Sequence, residues 1–103
     1  MISEFISSLP DNWHDAASLF VALGDEQRQR ILLSFPAGER LNVTQIAAAS
    51  TLSRTAVSHH LKVLRQAGAL QSEKIGKEVY FWIDKHHIAT TLQRVLDYVN
   101  NQT

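Results

Sequence analysis

SRTAVSHHLKVLRQAGAL, residues 53–70, is the stretch that decides the fold, because as one α-helix it separates into two distinct faces. At roughly 100° per residue, one group of side chains falls in a continuous arc of about 160°. This inward face consists of Ala56, Val57, His60, Leu61, Val63, Leu64 and Ala67. The outward face carries Arg54, Thr55, Ser58, His59, Lys62, Arg65 and Gln66. The division predicts a helix that packs one side against a core, with His60 as a hydrogen-bonded core residue.

The outward face carries no acidic residue. An ordinary surface helix interleaves Glu with Lys along its exposed side. Here the polar side chains can donate hydrogen bonds to phosphate oxygens, or to base edges in a major groove wide enough for a helix. The face therefore favours DNA binding. The alternative interpretation is a solvated face that is basic without a partner.

The residues before this helix predict a helix-turn-helix. Asn42 to Ser50 has the pattern of a short helix that begins with Asn42 or Thr44 as its N-cap. The three residues 51–53 form a tight link to the second helix. Two helices joined by so short a turn are typical of a DNA-binding helix-turn-helix, whose second helix, here residues 54–67, enters the major groove. Ser53 is the expected N-cap of that helix, and Gly68 is expected to end it.

The residues after the helix predict a β-hairpin of the kind called a wing, over residues 71–83. Leu70 to Ile75 and Glu78 to Ile83 have strand-like patterns, and Gly76-Lys77 between them is a glycine-first turn. Lys74 and Lys77 lie near the tip, where basic residues meet backbone phosphate or a neighbouring minor groove. The alternative role of these lysines is to keep an exposed sheet edge from aggregating.

Three blocks of the sequence together resemble the ArsR-type family of bacterial winged-helix repressors. They are LGDEQRQRIL at 23–32, AVSHHLKVLRQAGAL at 56–70 and GKEVY at 76–80. The resemblance implies a small homodimer that binds inverted repeats in operator DNA, and many members release the DNA when they bind a metal ion. It assigns DNA contacts to Arg54, Thr55, Ser58 and His59, with Lys62 toward phosphate, which are residues that the helical wheel also selects.

The expected fold class is mainly α-helical with one small β-hairpin, the wing. The first 43 residues predict three further helices and a short strand. Met1 to Leu9 is expected to form a short leading helix that Pro10 ends. A second helix, ended by Gly24, is indicated by the spacing of Trp13, Ala16, Ala17, Phe20 and Leu23. Asp25 is expected to cap a third helix, which bears Ile31, Leu32 and Phe35 and stops before Pro36. Residues 41–43 are a candidate strand that pairs with the wing.

The last predicted helix, residues 85–100, carries a narrow apolar stripe formed by Ile88, Leu92, Val95 and Val99, with Leu96 beside it. Such a stripe on a terminal helix needs a partner. It could pack within the monomer. A dimer is favoured because one recognition helix covers few base pairs, whereas a twofold dimer places two of them about one helical turn apart on DNA. The family resemblance also places the interface on the first and last helices.

Length and composition indicate one winged helix-turn-helix domain over residues 1–103. The net charge is zero, yet residues 1–27 contain five acids and no Lys or Arg, whereas residues 28–85 contain nine bases and four acids. Because DNA affinity depends on the local field, a neutral protein with a basic reading head can bind duplex DNA. No apolar run approaches the ~18 residues of a membrane span, and no basic leader is present, so a cytoplasmic protein is expected.

The chain has no cysteine, which excludes thiolate metal sites and disulfide switches. The family's zinc-type ligand pattern falls here on Asp84, His86, Asp97 and Asn100. His86 and Asp97 are 11 residues apart, or roughly 16 Å along a helix, so they could share an ion only across a dimer. The favoured alternative is that Asp84 caps the helix and the histidines lie on its first turn.

Three hypotheses about function follow. The first is a dimeric DNA-binding repressor that requires no cofactor. The second is a repressor that responds to a hard or borderline divalent metal at Asp84, His86 and Asp97, and the third is a winged-helix module that contacts only proteins. No enzyme is predicted, because the sequence has no phosphate loop, nucleophile elbow or metalloprotease motif.

Overall fold

The computed structural model describes residues 5–102, which form five helices and a three-stranded antiparallel sheet. The helices are α1 (Asp11–Leu23), α2 (Glu26–Leu33), α3 (Val43–Ala49), α4 (Arg54–Gln66) and α5 (Lys85–Gln102). The strands are β1 (Leu41–Asn42), β2 (Leu70–Ile75) and β3 (Glu78–Ile83). The winged helix-turn-helix arrangement predicted from the sequence is confirmed, including both strands of the wing. Among residues 5–102, no helix has the length and apolarity needed to cross a bilayer.

Side-chain caps fix where the two helices of the helix-turn-helix begin. Asn42 accepts a hydrogen bond from the Gln45 amide, and the Gln45 side chain accepts one from the Asn42 amide, so a reciprocal capping box begins α3. Ser53 Oγ accepts from the Ala56 amide at 3.1 Å and begins α4. Asn42, rather than Thr44, is therefore the N-cap of the first helix.

Gly68 ends α4 in the left-handed conformation, with φ 81°. A Cβ at this position would lie 2.5 Å from the His87 ring at the start of α5. Glycine is required here for two reasons, since the backbone conformation disfavours other residues and the imidazole occupies the space of a side chain.

The sheet has the strand order β1-β3-β2, so the wing hairpin pairs on its inner edge with the short strand before α3. Leu41 pairs with Phe81, and Leu70 pairs with Ile83. Gly76 has φ 63°, as the tight turn between β2 and β3 requires. The short strand that was predicted at 41–43 forms over Leu41–Asn42, because Val43 already belongs to α3.

The core forms where α4 meets the other helices and the base of the wing. Its fully buried large side chains are Leu19, Val57, Leu61, Leu64 and Leu70. Around them pack Ile31, Phe35, Ile46, Ala67 and Phe81. The apolar face of α4 therefore lies at the centre of the protein, and its outward face is presented on a rigid support.

Three expectations for the N-terminal part need correction. Residues 5–9 are not helical, and residues 1–4 of the predicted leading helix lie outside the described residues. In α1 the buried residues are Ala16, Leu19 and Ala22, whereas Phe20 is exposed. Helix α2 ends at Leu33, and Phe35 is buried from the following turn. The second difference arises because α1 is apolar on more than one side, so spacing alone did not select the buried side.

Helices α1 and α5 pack together through their polar and aromatic edges. The Trp13 and Tyr98 rings meet edge to face with centroids 5.4 Å apart. Arg94 approaches the Asp15 carboxylate at 3.9 Å. This packing leaves Leu92, Leu96 and Val99 of α5 exposed at 38%, 51% and 48%. The predicted apolar stripe is thus only partly covered within one chain.

The Thr91 hydroxyl on α5 is buried without a hydrogen-bond partner among the described residues. A buried polar group with no partner has lost its hydration without compensation. Thr91→Val should therefore raise the free energy of unfolding by about 1 kcal/mol. Thr90→Val, at the less buried neighbouring position, is the control and should change it by less than about 0.5 kcal/mol. Chemical denaturation measures both, and a loss of stability in Thr91→Val would contradict the expectation.

Candidate nucleic-acid interface

The outward face of α4 is built as the sequence predicts. Its exposed residues are Arg54, Thr55, Ser58, His59, Lys62, Arg65 and Gln66. On the other side of the same helix, Val57, Leu61 and Leu64 are completely buried. Because the inward residues are locked in the core, the outward side chains have a fixed register relative to the rest of the protein.

The N-terminal ends of α3 and α4 meet at one contact. Arg54 Nη1 donates a hydrogen bond to Thr44 Oγ1 at 2.6 Å. This contact holds the first cation of α4 beside the exposed first turn of α3, where a hydroxyl can also reach phosphate. The sequence offers Thr44 only as a candidate N-cap, whereas the structure places it on the first turn of α3 within hydrogen-bonding distance of Arg54. The signal for this contact in the sequence is the helix-turn-helix itself, because the first turn of its first helix lies close to its second helix.

The C-terminal half of α4 is joined to the wing. Arg65 Nε donates to Ser72 Oγ on β2 at 2.7 Å. A cleft of about 390 Å³ opens between α4 and the wing, and it is bordered by Ser58, Lys62 and Arg65 on the helix side. The wing side contributes Ser72, Val79 and Phe81. The structure thus brings three of the predicted helix residues, Ser58, Lys62 and Arg65, together with the wing at one cleft.

The wing tip exposes Lys74 and Lys77, as expected. The wing also carries an acidic residue, Glu73 on β2. Arg40 pairs with the Glu73 carboxylate at 2.7 Å, and its guanidinium lies 4.0 Å above the centroid of the Trp82 ring. Arg40 therefore neutralises the charge of the Glu73 carboxylate and holds the segment before β1 against the wing.

The cations of this surface are free of carboxylates. Among residues 5–102, no ion pair involves Arg54, Lys62, Arg65, Lys74 or Lys77. The observed contacts of Arg54 and Arg65 go to neutral hydroxyls. A phosphate would thus meet positive charge that no protein carboxylate already neutralises, which is the electrostatic condition for binding a nucleic acid.

The structure does not bring Asp84, His86 and Asp97 together within one chain. Asp84 accepts from the His87 amide at 3.0 Å and from Gln71 Nε2 at 2.8 Å, and these hydrogen bonds hold the pKa of its carboxyl below its usual value. Asp97 accepts from Gln93 Nε2 at 2.8 Å. In the described part of the chain no three His, Asp or Glu residues converge on a position for a metal ion. The three residues therefore do not fit one ion inside a subunit, and Asp84 has the capping role.

Comparison with known proteins gives a family model that matches the middle of the chain and a relative that matches most of it. The family model of the bacterial regulatory protein arsR family matches residues 25–72. The transcriptional repressor SmtB homolog of Synechocystis sp. is 34% identical over 89 residues, which are 86% of this chain and 67% of that protein. The chain thus spans about two thirds of the length of this relative.

Solved structures share the same architecture. An ArsR-like transcriptional regulator from Rhodococcus sp. RHA1 has a TM-score of 0.79 and 27% identity, and the match covers 90% of this chain and 86% of that one. A homodimeric winged helix-turn-helix DNA-binding domain from Mycobacterium bovis has a TM-score of 0.68 and 23% identity, covering 95% and 96%. The second likeness concerns the fold alone.

Proposed function

The chain belongs to the arsR family of bacterial regulatory proteins, and on this premise we propose that it is a transcriptional repressor that binds an inverted-repeat operator as a homodimer. The family consists of transcriptional regulators and not of enzymes. One observation carries the proposal. The outward face of α4 exposes hydrogen-bond donors and cations, none of which is paired with a carboxylate in the described part of the chain.

In the proposed complex α4 lies in the major groove. Arg54, Thr55, Ser58 and His59 then face base edges, and Lys62 and Arg65 face the phosphates that border the groove. The wing reaches the next stretch of backbone or the adjacent minor groove with Lys74 and Lys77. The contacts of Arg54 with Thr44 and of Arg65 with Ser72 support this arrangement, because they orient two long side chains before DNA binds.

The partner of the exposed stripe on α5 is proposed to be a second copy of the chain. Leu92, Leu96 and Val99 are exposed apolar residues on an 18-residue helix. Phe20 and Val21 of α1 are also exposed apolar residues. A twofold dimer would cover these surfaces and place two α4 helices on successive turns of one DNA face. The homodimeric state of the Mycobacterium bovis domain supports this proposal.

The proposal is tested on a duplex selected from genomic fragments of the source organism. Arg54→Ala should cost about 1–3 kcal/mol at the selected site, because a base-facing guanidinium is lost. Lys77→Ala should instead weaken binding to all sequences similarly and reduce the slope of log affinity against log salt by about 1. Fluorescence anisotropy over a salt series measures both effects.

The same titration separates the alternatives. If the wild-type protein binds no duplex even at low salt, the protein shares the fold but not the activity, and the protein-contact hypothesis is favoured. Repeating the titration with EDTA and then with zinc, nickel or cobalt tests the metal hypothesis. If a metal changes the affinity for DNA and His86→Ala abolishes the change, a metal site between subunits is supported. If the affinity for DNA is the same with EDTA and with each metal, the protein is a repressor without a metal requirement.

A further inference from the structure

The Arg28 guanidinium lies where α1, α2 and α4 meet, away from the DNA-facing surface. Its Nε donates to the Ala22 carbonyl at 2.8 Å, and its Nη2 donates to the Val21 carbonyl at 3.2 Å. Its third contact is with α4, where Nη1 lies 3.3 Å from His60 Nδ1. The Arg28 side chain is 13% exposed, and its contacts with Ala22 and His60 are partly buried.

The contact with Arg28 requires His60 to present an acceptor nitrogen. A guanidinium has five N–H donors and no acceptor. The ring nitrogen that faces it must therefore accept, which requires a lone pair on Nδ1. His60 is consequently a neutral imidazole with its proton on Nε2 whenever this bridge is formed.

The bridge connects the helix proposed to dimerise with the helix proposed to read DNA. The Val21 and Ala22 carbonyls belong to the last turn of α1, where backbone acceptors lack partners within the helix. Arg28 satisfies them and at the same time holds α4 through His60. Helix α1 packs on α5, which carries the exposed apolar stripe. The Arg28–His60 contact thus adds a polar link to the apolar packing that orients α4 relative to that stripe.

We infer that His60 is a positioning residue for DNA binding, which holds α4 in its reading orientation through Arg28 only while its imidazole is neutral. The inference rests on the proposed function. It adds a consequence that the outward face does not predict, namely that the inward-facing His60 makes operator affinity fall in acid.

The charges around His60 support this direction. They are Arg28 and Asp25 of α2 and, on α4 itself, the neighbouring His59, whose ring centroid is 5.9 Å away. A proton on Nδ1 would remove the lone pair and place a second cation beside Arg28. Asp25 attracts that cation, but its Oδ1 is engaged by the amides of Gln27 and Arg28, and its Oδ2 is 3.9 Å from Arg28. The bridge therefore requires a lone pair on Nδ1 and cannot form when this nitrogen carries a proton.

The test compares His60→Asn and His60→Leu with the unmodified residue. Asn places its amide oxygen near the position of Nδ1 and accepts at every pH, whereas Leu keeps apolar bulk and accepts at none. All three proteins retain His59, so that its contribution at each pH is the same in each and cancels in the ratios of their affinities. Operator affinity is measured by anisotropy at pH 8 and pH 5.5.

At pH 8 the His60→Asn variant should bind within about threefold of the protein that retains His60. At pH 5.5 the protein that retains His60 should bind about tenfold more weakly than His60→Asn, which corresponds to one lost charge-assisted hydrogen bond. His60→Leu should be weaker than His60→Asn at both pH values, by a similar factor at each.

Two results would overturn the inference. The first is a pH-independent ratio between the operator affinity of His60→Asn and that of the protein retaining His60. This result would contradict the positioning role of His60 and leave the proposed function intact. Long-range ¹H–¹⁵N spectra of the histidine rings provide a readout without DNA, and a proton on His60 Nδ1 at pH 8 would exclude the bridge. If the wild-type protein binds no duplex at pH 8, the proposed function fails first, and the spectra still decide whether the bridge exists.

Discussion

Leu96→Glu should convert the protein to a monomer and weaken operator binding by about 10²–10⁴-fold. Leu96 is 51% exposed between Leu92 and Val99 on α5. In a twofold dimer each copy of the substitution would bury a charge in an apolar contact and face its own symmetry mate. Loss of the dimer removes the advantage of binding two half-sites at once. Sedimentation velocity and anisotropy on the full operator measure the two effects.

Gln93→Lys is the matched control for this experiment. It introduces a charge on the same helix outside the apolar stripe, and a lysine there can pair with Asp97 one turn later. This variant should remain dimeric and bind the operator normally. If Leu96→Glu also remains dimeric, the stripe is not the subunit interface, and another surface must supply it.

Leu64→Ala should lower the free energy of unfolding by about 2–5 kcal/mol. Leu64 is completely buried, and it lies on the face of α4 that packs against the other core helices and the base of the wing. Truncating it removes apolar contacts and leaves a cavity that rigid neighbours cannot fill. A protein of this size has a total stability of about 5–15 kcal/mol, so the loss is a large share of it.

Lys62→Ala, two residues earlier on the exposed side of α4, should change the same quantity by less than about 0.5 kcal/mol. Both variants are compared with wild type by urea denaturation at one protein concentration, because subunit association would contribute to the measured value. Equal stabilities of the two variants would contradict the division of α4 into buried and exposed faces.

Local patterns in the sequence predicted much of this architecture. Periodicity predicts which residues of α4 face outward and which face inward. The turn at Gly76 predicts the limits of the two strands, 70–75 and 78–83, and side chains a few residues from the helix starts predict the caps Ser53 and Asp25. Such features are determined by near neighbours in the chain, and the structure agrees with them. Of the leading helix predicted over Met1 to Leu9, the described residues 5–9 are not helical. Phe5, Ile6 and Leu9 are exposed, so no packing against the core stabilises a helix there.

Contacts between distant parts of the chain cannot be predicted from these local patterns. Arg40 and Glu73 are 33 residues apart, and Arg28 and His60 are 32 residues apart. Pairing over such distances depends on how the elements pack, and a single sequence carries no periodic signal for it. Thr44 is the intermediate case, since the helix-turn-helix brings it near Arg54 and the proximity could have been inferred once that motif was recognised.

The tight fit of the His87 ring over Gly68 links two positions whose changes would otherwise be independent. A side chain at position 68 displaces the imidazole, and a smaller residue at 87 opens a gap above the end of α4. Engineering of α5, for example to build an obligate heterodimer, should therefore begin downstream of residue 87. Grafting a complete α5 from another protein would replace His87 while Gly68 stays unchanged. The contact between the end of α4 and the start of α5 would then have to be redesigned as well.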